Sequence, residues 1–493
     1  MIVFSNLCPH FQRVAAIFLF ACVVVNAGVI DNRIDKYVDV HGNCAVPTKL
    51  LNEIQSYQPI VNKIAKEILN GNFTGDTWNS LSEFIDEFGP RFSGSKSLEC
   101  SIDYMVNKLK EVGLENVHTE NATIPRWQRG YESAHLVEPH EQNLPLLGFG
   151  FSVGTPRGGI IGDVVVVESF DELDRLSDDV VHGKIVVFAP EWVSYGVTVQ
   201  YRSKGASRAA KKGAIAALVR SITPFSIGSP HTGMQTYEQG VAQIPVAAIT
   251  VEDSKMLLRL YRRGKRMTIR LKMEDRNLDP YDSRNTIAEL HGRTQPIDKK
   301  VVVVSGHLDS WDVGVGAMDD GGGAFISWKA IEFLKKMNLR PARTIRSILW
   351  TGEEVGIVGA QDYQRAHAAN EQEEFNFFIE SDIGTFEPTG LDFTGNADAE
   401  CIFKEILKLM APLNATEFAK PTDGGPDIER WTKRGFPGAS LLNKNENYFW
   451  YHHSAGDSML LEQPQNLDKA TALFAACAYV VADLSIDMPR DIQ

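Results

Sequence analysis

The chain has 493 residues, of which 43% are apolar and 23% are charged, a composition typical of a folded globular protein and not of a disordered one. This length allows two or three domains, each with its own hydrophobic core. A formal net charge of -13 at pH 7 argues against nucleic acid as a general partner, because binding to phosphates requires a basic surface.

The first residues have the pattern of a signal peptide. Arg13 precedes an apolar run from Ala15 to Val25, and small residues at Val25 and Ala27 fit a signal-peptidase site. We therefore predict a signal peptide at residues 1–27 and a mature chain in the secretory pathway. The alternative is an uncleaved membrane anchor, although the run is short for a membrane span. No other apolar run reaches about 18 residues, so no membrane span is expected after cleavage.

The mature part of the chain carries two features of extracellular proteins. Four of the six cysteines follow the cleavage point: Cys44, Cys100, Cys401 and Cys477. They allow up to two disulfides in three alternative pairings, and their spacing matches no zinc-binding pattern. Three glycosylation sequons begin at Asn72, Asn121 and Asn414. After a signal peptide, we expect at least one of these sequons to be used.

Two segments near the N-terminus show helical periodicity. Apolar residues recur at helical spacing from 49 to 70 and again from 96 to 112, which predicts helices there. The sequence DEFGPRFSGSKS, residues 86–97, is rich in turn-forming residues and is expected to connect them. Between about 130 and 280 the pattern changes to short β-rich runs, such as GDVVVVES and GKIVVFAP, separated by loops rich in Gly, Pro and Ser. We therefore predict a small inserted domain at residues 130–280.

Strands and helices alternate after residue 285. Near-continuous apolar runs predict buried strands at 299–307, 344–352, 376–382 and 437–443. Amphipathic patterns predict helices at 324–338, 401–410 and 466–484. This alternation indicates an α/β domain with a largely parallel sheet, to which the N-terminal helices are expected to belong. The domain would then be discontinuous, comprising residues 49–129 and 281–493.

Histidines and acids follow several of these strands, at the edge of the sheet where such folds bind ligands. They are His307, Asp309, Asp319, Asp320, Glu353, Glu354, Asp382, His452, His453 and Asp457. Each has an ordinary alternative when taken singly, since an aspartate can cap a helix and a lone histidine is more often a hydrogen-bonded core residue. The adjacent glutamates are harder to explain in this way, because burying two carboxylates requires a positive partner.

A bound cation would stabilise all of these acids together. Two histidines with several carboxylates favour zinc over calcium, which prefers oxygen ligands. The set exceeds the needs of one tetrahedral ion, which suggests two ions that share a carboxylate. The sequence therefore predicts a dinuclear zinc site of the kind found in hydrolases.

The same argument divides the roles within each adjacent pair. One of Glu353 and Glu354 would bind metal and the other would accept a proton from water, since adjacent side chains leave an extended backbone in different directions. By the same reasoning, only one of His452 and His453 is expected to be a ligand. Asp309 is a candidate to orient the imidazole that lies two residues before it.

The ordered motifs resemble those of the zinc-dependent di-metal exopeptidases, a family that includes bacterial leucyl aminopeptidases and glutamate carboxypeptidase. They are HLDSW…GAMDDGGG, TGEEVGIVGA, ESDIG and YHHSAGDS, with SPHTGM at 229–234 and GPRFSGSKSLE at 89–99. The resemblance implies a mostly parallel mixed sheet sandwiched by helices, interrupted by a protease-associated domain. It also implies a propeptide, for which residues 28–48 are the candidate, and a homodimer.

The resemblance also implies a site that holds two Zn²⁺ ions per chain. The five ligands would be His307, Asp319, Glu354, Asp382 and His453, with Asp319 bridging the two ions. Glu353 would be the general base. His453 is preferred to His452 because it matches the histidine of the family's H-S-x-x-D/E motif, in which Asp457 is the acid.

Asp427 lies in the segment TDGGPDIERW, where members of the family shape the substrate pocket. It would contact a free substrate amine or, alternatively, be solvated at the surface.

These features predict a secreted or lysosomal zinc exopeptidase that hydrolyses small peptides, with dipeptides that have free termini as the expected substrates. Glu353 would deprotonate a zinc-activated water and then, as the acid, protonate the leaving amine. An aminopeptidase acting on longer peptides is the alternative, because fold alone does not settle the reaction. A non-catalytic binding protein with structural metals is a third hypothesis, but structural zinc sites are usually closed and rich in cysteine.

Overall fold

The computed structural model describes residues 44, 46–293, 300–421 and 425–491. The predicted signal peptide at 1–27 lies outside the described residues, as does most of the candidate propeptide at 28–48. Among the described residues, none of the helices combines the length and the apolar character that crossing a bilayer requires.

The main domain is built on a mixed eight-stranded sheet. Numbered in chain order and given in spatial order, its strands are β1 (Glu115–Gln128), β10 (Arg276–Leu290), β12 (Ile345–Trp350), β11 (Val301–His307), β13 (Phe375–Glu380), β16 (Gly438–Asn443), β14 (Pro388–Thr394) and β15 (Glu417–Ala419). The four central strands, from β12 to β16, run parallel. Antiparallel pairings with β10 and β14 flank them.

A second eight-stranded sheet lies within the segment predicted to be an inserted domain, and this segment is called the inserted domain below. In spatial order its strands are β3 (Gln142–Leu144), β2 (Glu132–Glu138), β9 (Thr268–Met273), β5 (Ile160–Val167), β6 (Ile185–Phe188), β7 (Ala216–Arg220), β8 (Val246–Ile249) and β4 (Leu146–Gly148). All of them lie between residues 130 and 280. Strand β10, which starts just before residue 280, already belongs to the main sheet, where Arg276 pairs with Gln128 of β1. The chain therefore leaves and re-enters the main sheet at adjacent positions.

Helices surround both sheets. They are α1 (Thr48–Ser56), α2 (Gln58–Leu69), α3 (Asp76–Phe88), α4 (Lys96–Glu111), α5 (Phe170–Arg175), α6 (Asp178–Val181), α7 (Tyr195–Thr198), α8 (Gln200–Ala210), α9 (Val251–Arg262), α10 (Gly322–Lys336), α11 (Val358–His367), α12 (Glu371–Glu374), α13 (Ala397–Lys408), α14 (Glu429–Thr432), α15 (Tyr448–Tyr451) and α16 (Pro464–Asp483). A π-helical turn spans Ala317–Gly321, and a 3₁₀ turn spans Ala411–Leu413.

The two faces of strand β11 show how the main sheet is covered. Val302 and Val304 point into a core shared with helices such as α10 and α16, whereas Val301 and Val303 point into a separate core with residues of α11 and α14. Both faces of the strand are therefore buried, which explains its unbroken apolar run. A mixed sheet that is parallel at its centre and covered by helices confirms the predicted fold class.

The N-terminal helices differ from the prediction in two places. The predicted helix at 49–70 is broken at Tyr57, where α1 ends and α2 begins, because Pro59 lies in the first turn of α2 and has no N–H to continue a helix. The predicted connector at 86–97 starts too early, since its first residues belong to α3, which ends at Phe88 and is followed by Gly89 with φ of 58°. Glycine suits this left-handed backbone conformation.

One disulfide joins the N-terminal segment to α13. It links Cys44 to Cys401, with a Cα–Cα distance of 5.3 Å and a sequence separation of 357 residues. Cys100, which is exposed, and Cys477, which is buried, are free thiols. Because Cys44 lies within the candidate propeptide, a cut between residues 44 and 48 would leave the released piece covalently attached.

Candidate metal centre

The predicted ligands converge at the carboxyl ends of the parallel strands. His307 is the last residue of β11, Glu354 lies in the loop after β12, and Asp382 follows β13 by two residues. Parallel neighbouring strands end at the same edge of the sheet, so these three side chains are brought together by topology. The remaining candidates come from loops: Asp319 lies in the π-helical turn before α10, and His453 follows α15.

Asp319 lies between two histidines. Nε2 of His307 is 3.4 Å from Oδ1 of Asp319 and 3.2 Å from Oδ1 of Asp382. On the other side, Nε2 of His453 is 3.3 Å from Oδ2 of Asp319 and 3.0 Å from Oε2 of Glu354. The five residues thus form two groups that share one carboxylate, with each of its oxygens facing a different histidine.

The structure distinguishes the two adjacent histidines. Their rings stack with centroids 3.5 Å apart, and Nε2 of His452 lies 3.5 Å from Oδ2 of Asp319. Only His453 is also within ion-pair distance of Glu354 among the described residues. His453 therefore contacts both acids of its group, whereas His452 contacts only the shared one.

Glu353 and Glu354 differ in accessibility. The side chain of Glu354 is 3% exposed, whereas that of Glu353 is 16% exposed and has Oε2 at 3.9 Å from Nε2 of His307. The more accessible glutamate is therefore the one that was predicted to meet water.

Asp309 contacts the imidazole of His307 through its main chain and the glutamate loop through its carboxylate. Its main-chain oxygen accepts the hydrogen bond from Nδ1 of His307 at 2.8 Å, whereas its carboxylate is 3.8 Å from that nitrogen. The carboxylate instead accepts from the main-chain N–H of Glu353 at 3.1 Å and of Glu354 at 3.4 Å, and from the hydroxyl of Ser93 at 2.7 Å. Asp309 therefore orients the imidazole through its backbone and holds the glutamate loop through its side chain.

Two further aspartates fix the loop that carries Asp319. Asp457 accepts hydrogen bonds from the main-chain N–H groups of Ala317, Met318 and Asp319 at 2.9, 2.8 and 3.2 Å. Asp320 accepts from the N–H of His307 at 3.0 Å and from that of Gly323, in the first turn of α10, at 3.1 Å. Of the two adjacent aspartates, it is therefore Asp320, and not Asp319, that accepts a hydrogen bond from the first turn of the helix, as a capping residue does.

Acidic charge dominates this centre. Burial raises the pKa of Glu353 and of Glu354 well above the usual range, and repulsion from neighbouring acids adds to the effect against the attraction of His307. Burial likewise raises the pKa of Asp382 to about 6. Asp319 is the exception: burial raises its pKa, but its closeness to His307 and His453 outweighs this and lowers the pKa well below the usual range. Positive charge at this centre would keep all of these acids ionised.

The residues present fit zinc. Oδ2 of Asp319 and Oε1 of Glu354 are buried and have no hydrogen-bond partner in the described structure. A buried carboxylate oxygen without a partner is destabilising unless something else satisfies it. Imidazole nitrogens and carboxylate oxygens are zinc ligands, and a carboxylate shared by two groups suits a pair of ions. His307 and Asp382 would hold one ion, Glu354 and His453 the other, with Asp319 between them.

A second acidic group, Asp427 and Glu380, interacts electrostatically with this centre. Asp427 is fully buried, so the alternative of surface solvation was wrong, and neither of its carboxylate oxygens has a hydrogen-bond partner among the residues that the structure describes. Burial and the charges of Glu380 and Glu353 raise its pKa well above the usual range. Glu380, the last residue of β13, was not singled out from the sequence, and burial raises its pKa to about 8.

The inserted domain contacts the segment that carries His453. The N–H of Thr232 donates to the main-chain oxygen of His453 at 2.9 Å, and Nδ1 of His453 donates to the main-chain oxygen of Thr232 at 3.3 Å. Nδ1 of His231 donates to the main-chain oxygen of His452 at 2.6 Å. His231 and Thr232 belong to the motif SPHTGM. This motif is part of the resemblance to the family, but no role was predicted for it.

Comparisons with known proteins identify relatives of the whole chain. Residues 285–478 match the model of peptidase family M28. Carboxypeptidase Q of Bos taurus is 48% identical over 442 residues, which cover 90% of this chain and 93% of the relative. A peptidase M28 precursor from Shewanella amazonensis SB2B superposes with a TM-score of 0.83 and 30% identity, covering 89% of this chain and 100% of that structure.

The zinc aminopeptidase BSAP of Bacillus subtilis shares the fold at a lower level. Its TM-score is 0.64 and its identity 17%, covering 85% of this chain and 99% of that structure. The resemblance inferred from the motifs is confirmed by the closer relatives.

Proposed function

The chain belongs to peptidase family M28 and is a metallo-exopeptidase; from this premise, we propose that it hydrolyses small peptides, and dipeptides with free termini in particular, at a centre of two zinc ions. The observation that carries the proposal is the position of Asp319, whose two carboxylate oxygens face His307 and His453 on opposite sides. Bound zinc supplies a Lewis acid that polarises a carbonyl group and lowers the pKa of a water molecule.

Glu353 is the proposed general base. Its side chain is the more accessible of the glutamate pair, and its backbone is held by Asp309. It would take a proton from the attacking water and return it to the nitrogen of the leaving amine, so that one carboxyl group serves both steps. Its neighbour Glu354 would remain a ligand throughout.

The second acidic group supports recognition of a free amine. Asp427 and Glu380 are buried acids with raised pKa values, and the protonated amino terminus of a short peptide, together with bound zinc, would favour their ionised forms. Since Asp427 is fully buried, we propose that it acts through its field and not through direct contact. This arrangement favours substrates with a free amino terminus near the scissile bond.

We also propose that the mature protein is secreted or lysosomal and that it forms a homodimer. The apolar N-terminal run, the disulfide between Cys44 and Cys401 and the three sequons support a secretory route. Asn72, Asn121 and Asn414 are all exposed, as glycosylation requires. Light scattering on the purified protein measures the oligomeric state, and glycosidase treatment detects the glycans.

A dipeptide library, assayed with chelator and with zinc added back, tests the proposed activity. We expect hydrolysis of dipeptides that is lost with chelator and restored by zinc. Comparing a dipeptide with its C-terminal amide then separates a dipeptidase or carboxypeptidase, which discriminates against the amide, from the alternative aminopeptidase on longer peptides, which does not. Elemental analysis showing less than one metal ion per chain would favour the non-catalytic alternative.

A further inference from the structure

Arg202 is a buried guanidinium that contacts no carboxylate among the described residues. It lies on α8 of the inserted domain and is 7% exposed. Its polar contacts are to neutral groups: the main-chain oxygens of Met234, from Nε at 3.2 Å, and Thr232, from Nη1 at 3.3 Å, and the hydroxyl of Tyr195, from Nη2 at 2.8 Å. A guanidinium has five N–H groups, so these three contacts leave about two without a partner. A buried charge held in this way is destabilising unless it meets an anion.

The guanidinium of Arg202 packs against the backbone at Gly233. Gly233 has φ of 139°, and a Cβ atom at this position would lie 2.3 Å from Nη1 and 2.4 Å from Cζ of Arg202. The guanidinium therefore packs directly against the glycine backbone, where any side chain would displace it. Gly233 follows Thr232, whose main-chain N–H donates a hydrogen bond to the main-chain oxygen of His453.

Only two aromatic rings separate this guanidinium from the candidate ligands. The ring of Tyr195 lies edge-on to His452 with centroids 5.1 Å apart and stacks on Phe449 at 4.8 Å. His452 in turn stacks on His453. Tyr195 is partly exposed, and it is close enough to Glu354 and Asp319 to interact with their charges. A cation and a hydroxyl thus stand beside a centre that is otherwise acidic.

We propose that Arg202 and Tyr195 bind the terminal carboxylate of the peptide substrate. This inference rests on the proposed exopeptidase function and names the group that would make the enzyme require a free carboxyl terminus. The hydroxyl of Tyr195 accepts its hydrogen bond from Arg202, and its own hydrogen has no acceptor among the described residues. A carboxylate would receive this O–H together with the free guanidinium N–H groups, a charge-assisted arrangement. In a dipeptide, that carboxylate lies one residue, about 4 Å along the chain, from the scissile bond.

Steady-state kinetics of the zinc-loaded, full-length protein test this subsite. The substrates are one dipeptide and its C-terminal amide, and the variants are Arg202→Gln and Tyr195→Phe, with Lys204→Gln, an exposed residue of the same helix, as the control. We expect KM for the free dipeptide to rise about 10- to 100-fold in Arg202→Gln, the range for a lost hydrogen bond to a charged group, and less in Tyr195→Phe. KM for the amide should change less than about twofold in both variants, since the amide lacks the charge.

Zinc content and melting temperature, measured for each variant, show whether it is folded and loaded. Tyr195→Phe removes only a hydroxyl, so it remains informative if Arg202→Gln does not fold. The product amino acid and its amide, used as competitive inhibitors, give a second measure. Arg202→Gln should raise the inhibition constant of the amino acid but not that of its amide.

Equal effects on acid and amide would overturn the carboxylate subsite and leave the exopeptidase proposal standing. So would a wild-type protein that cleaves both substrates equally well. If zinc-dependent hydrolysis is absent for both substrates, the proposed function itself is wrong. Calorimetric binding of the dipeptide and its amide would then still decide whether Arg202 contacts a carboxylate, since equal affinities would reject it.

Discussion

Thr232 and His453 exchange two hydrogen bonds across the boundary between the inserted domain and the main domain. The N–H of Thr232 donates to the oxygen of His453 at 2.9 Å, and Nδ1 of His453 donates to the oxygen of Thr232 at 3.3 Å. Because Nδ1 is occupied, Nε2 is the nitrogen that faces Asp319 and Glu354. The inserted domain therefore takes part in orienting a candidate metal ligand.

We expect His231→Ala to weaken zinc binding at one of two sites. His231 holds the backbone of His452 from the inserted domain, and losing such a supporting contact typically lowers metal affinity about 10- to 100-fold. Competition with a chromogenic chelator measures the affinity. His135→Ala, an exposed histidine of the same domain, is the control. Unchanged zinc affinity in His231→Ala would show that the domain contact has no influence on the metal.

Replacing Glu353 with Gln should lower kcat by about 10²- to 10⁴-fold while zinc stays bound, because the amide cannot accept the proton from water. Elemental analysis beside dipeptide kinetics separates the two effects. Glu446→Gln, an exposed glutamate, is the control and should retain full activity. If Glu353→Gln is as active as the wild type, another group is the base.

The two adjacent histidines should behave differently. His453→Ala is expected to lose one equivalent of zinc per chain, because His453 contacts both Glu354 and Asp319. His452→Ala is expected to keep both equivalents. Each variant serves as the control for the other in elemental analysis after dialysis. The reverse result would transfer the ligand role to His452.

Removing the metal should destabilise the fold. The acids around Asp319 then face one another without a cation, and a ligand present at about 100 times its Kd stabilises the native state by about 2.7 kcal/mol. We expect chelation to lower the melting temperature, measured by calorimetry, by about 3 °C for each ion lost, because the entropy of unfolding of a chain of 493 residues is about 1 kcal/mol/K. Zinc should restore it and calcium should not, since imidazole ligands disfavour calcium. A melting temperature that is insensitive to chelator would argue that the acids are neutralised in another way.

Stability should also depend on pH through a histidine far from the metal centre. Burial lowers the pKa of His367, but hydrogen bonds with Glu120 and Glu374 outweigh it and raise that pKa to about 9. A pKa above the unfolded value of about 6.5 means that the stabilisation is complete below pH 6.5 and is lost as the pH rises through about 9.

His367→Gln should therefore lower the free energy of unfolding by about 1–2 kcal/mol at pH 6 and by little at pH 10. Urea denaturation at the two pH values measures this difference. His140→Gln, an exposed histidine of the inserted domain, should show no such dependence. A loss in His367→Gln that is equal at both pH values would assign its role to packing alone.

The parts of the structure that the sequence predicts are those set by side-chain pattern. The apolar run of β11 and the acids after each strand suffice to bring His307, Glu354 and Asp382 together, because parallel strands end at one edge. Glu353 and Glu354, however, lie in the loop after β12 and not on an extended strand, so the alternation of an extended backbone does not explain how their side chains diverge.

What could not be predicted depends on main-chain atoms and on distant segments. The oxygens of Asp309 and Thr232 orient the two imidazoles, and a main-chain oxygen leaves no mark on residue type. In the sequence, Arg202 is one of several charged residues of a polar helix, and only the fold places it beside Tyr195. Three cysteine pairings were open, and only the fold brings Cys44 to Cys401.

The order of residues along the chain has a consequence for biosynthesis. Every candidate ligand, from His307 to His453, follows the inserted sheet, whose last strand ends at Met273. Domains generally fold as units, N-terminal first, while the chain is still being made. The inserted domain can thus be complete, with Thr232 already in position, before His453 leaves the ribosome. Zinc capture is then one of the final events in the making of the protein, on a surface that an earlier part of the same chain has prepared.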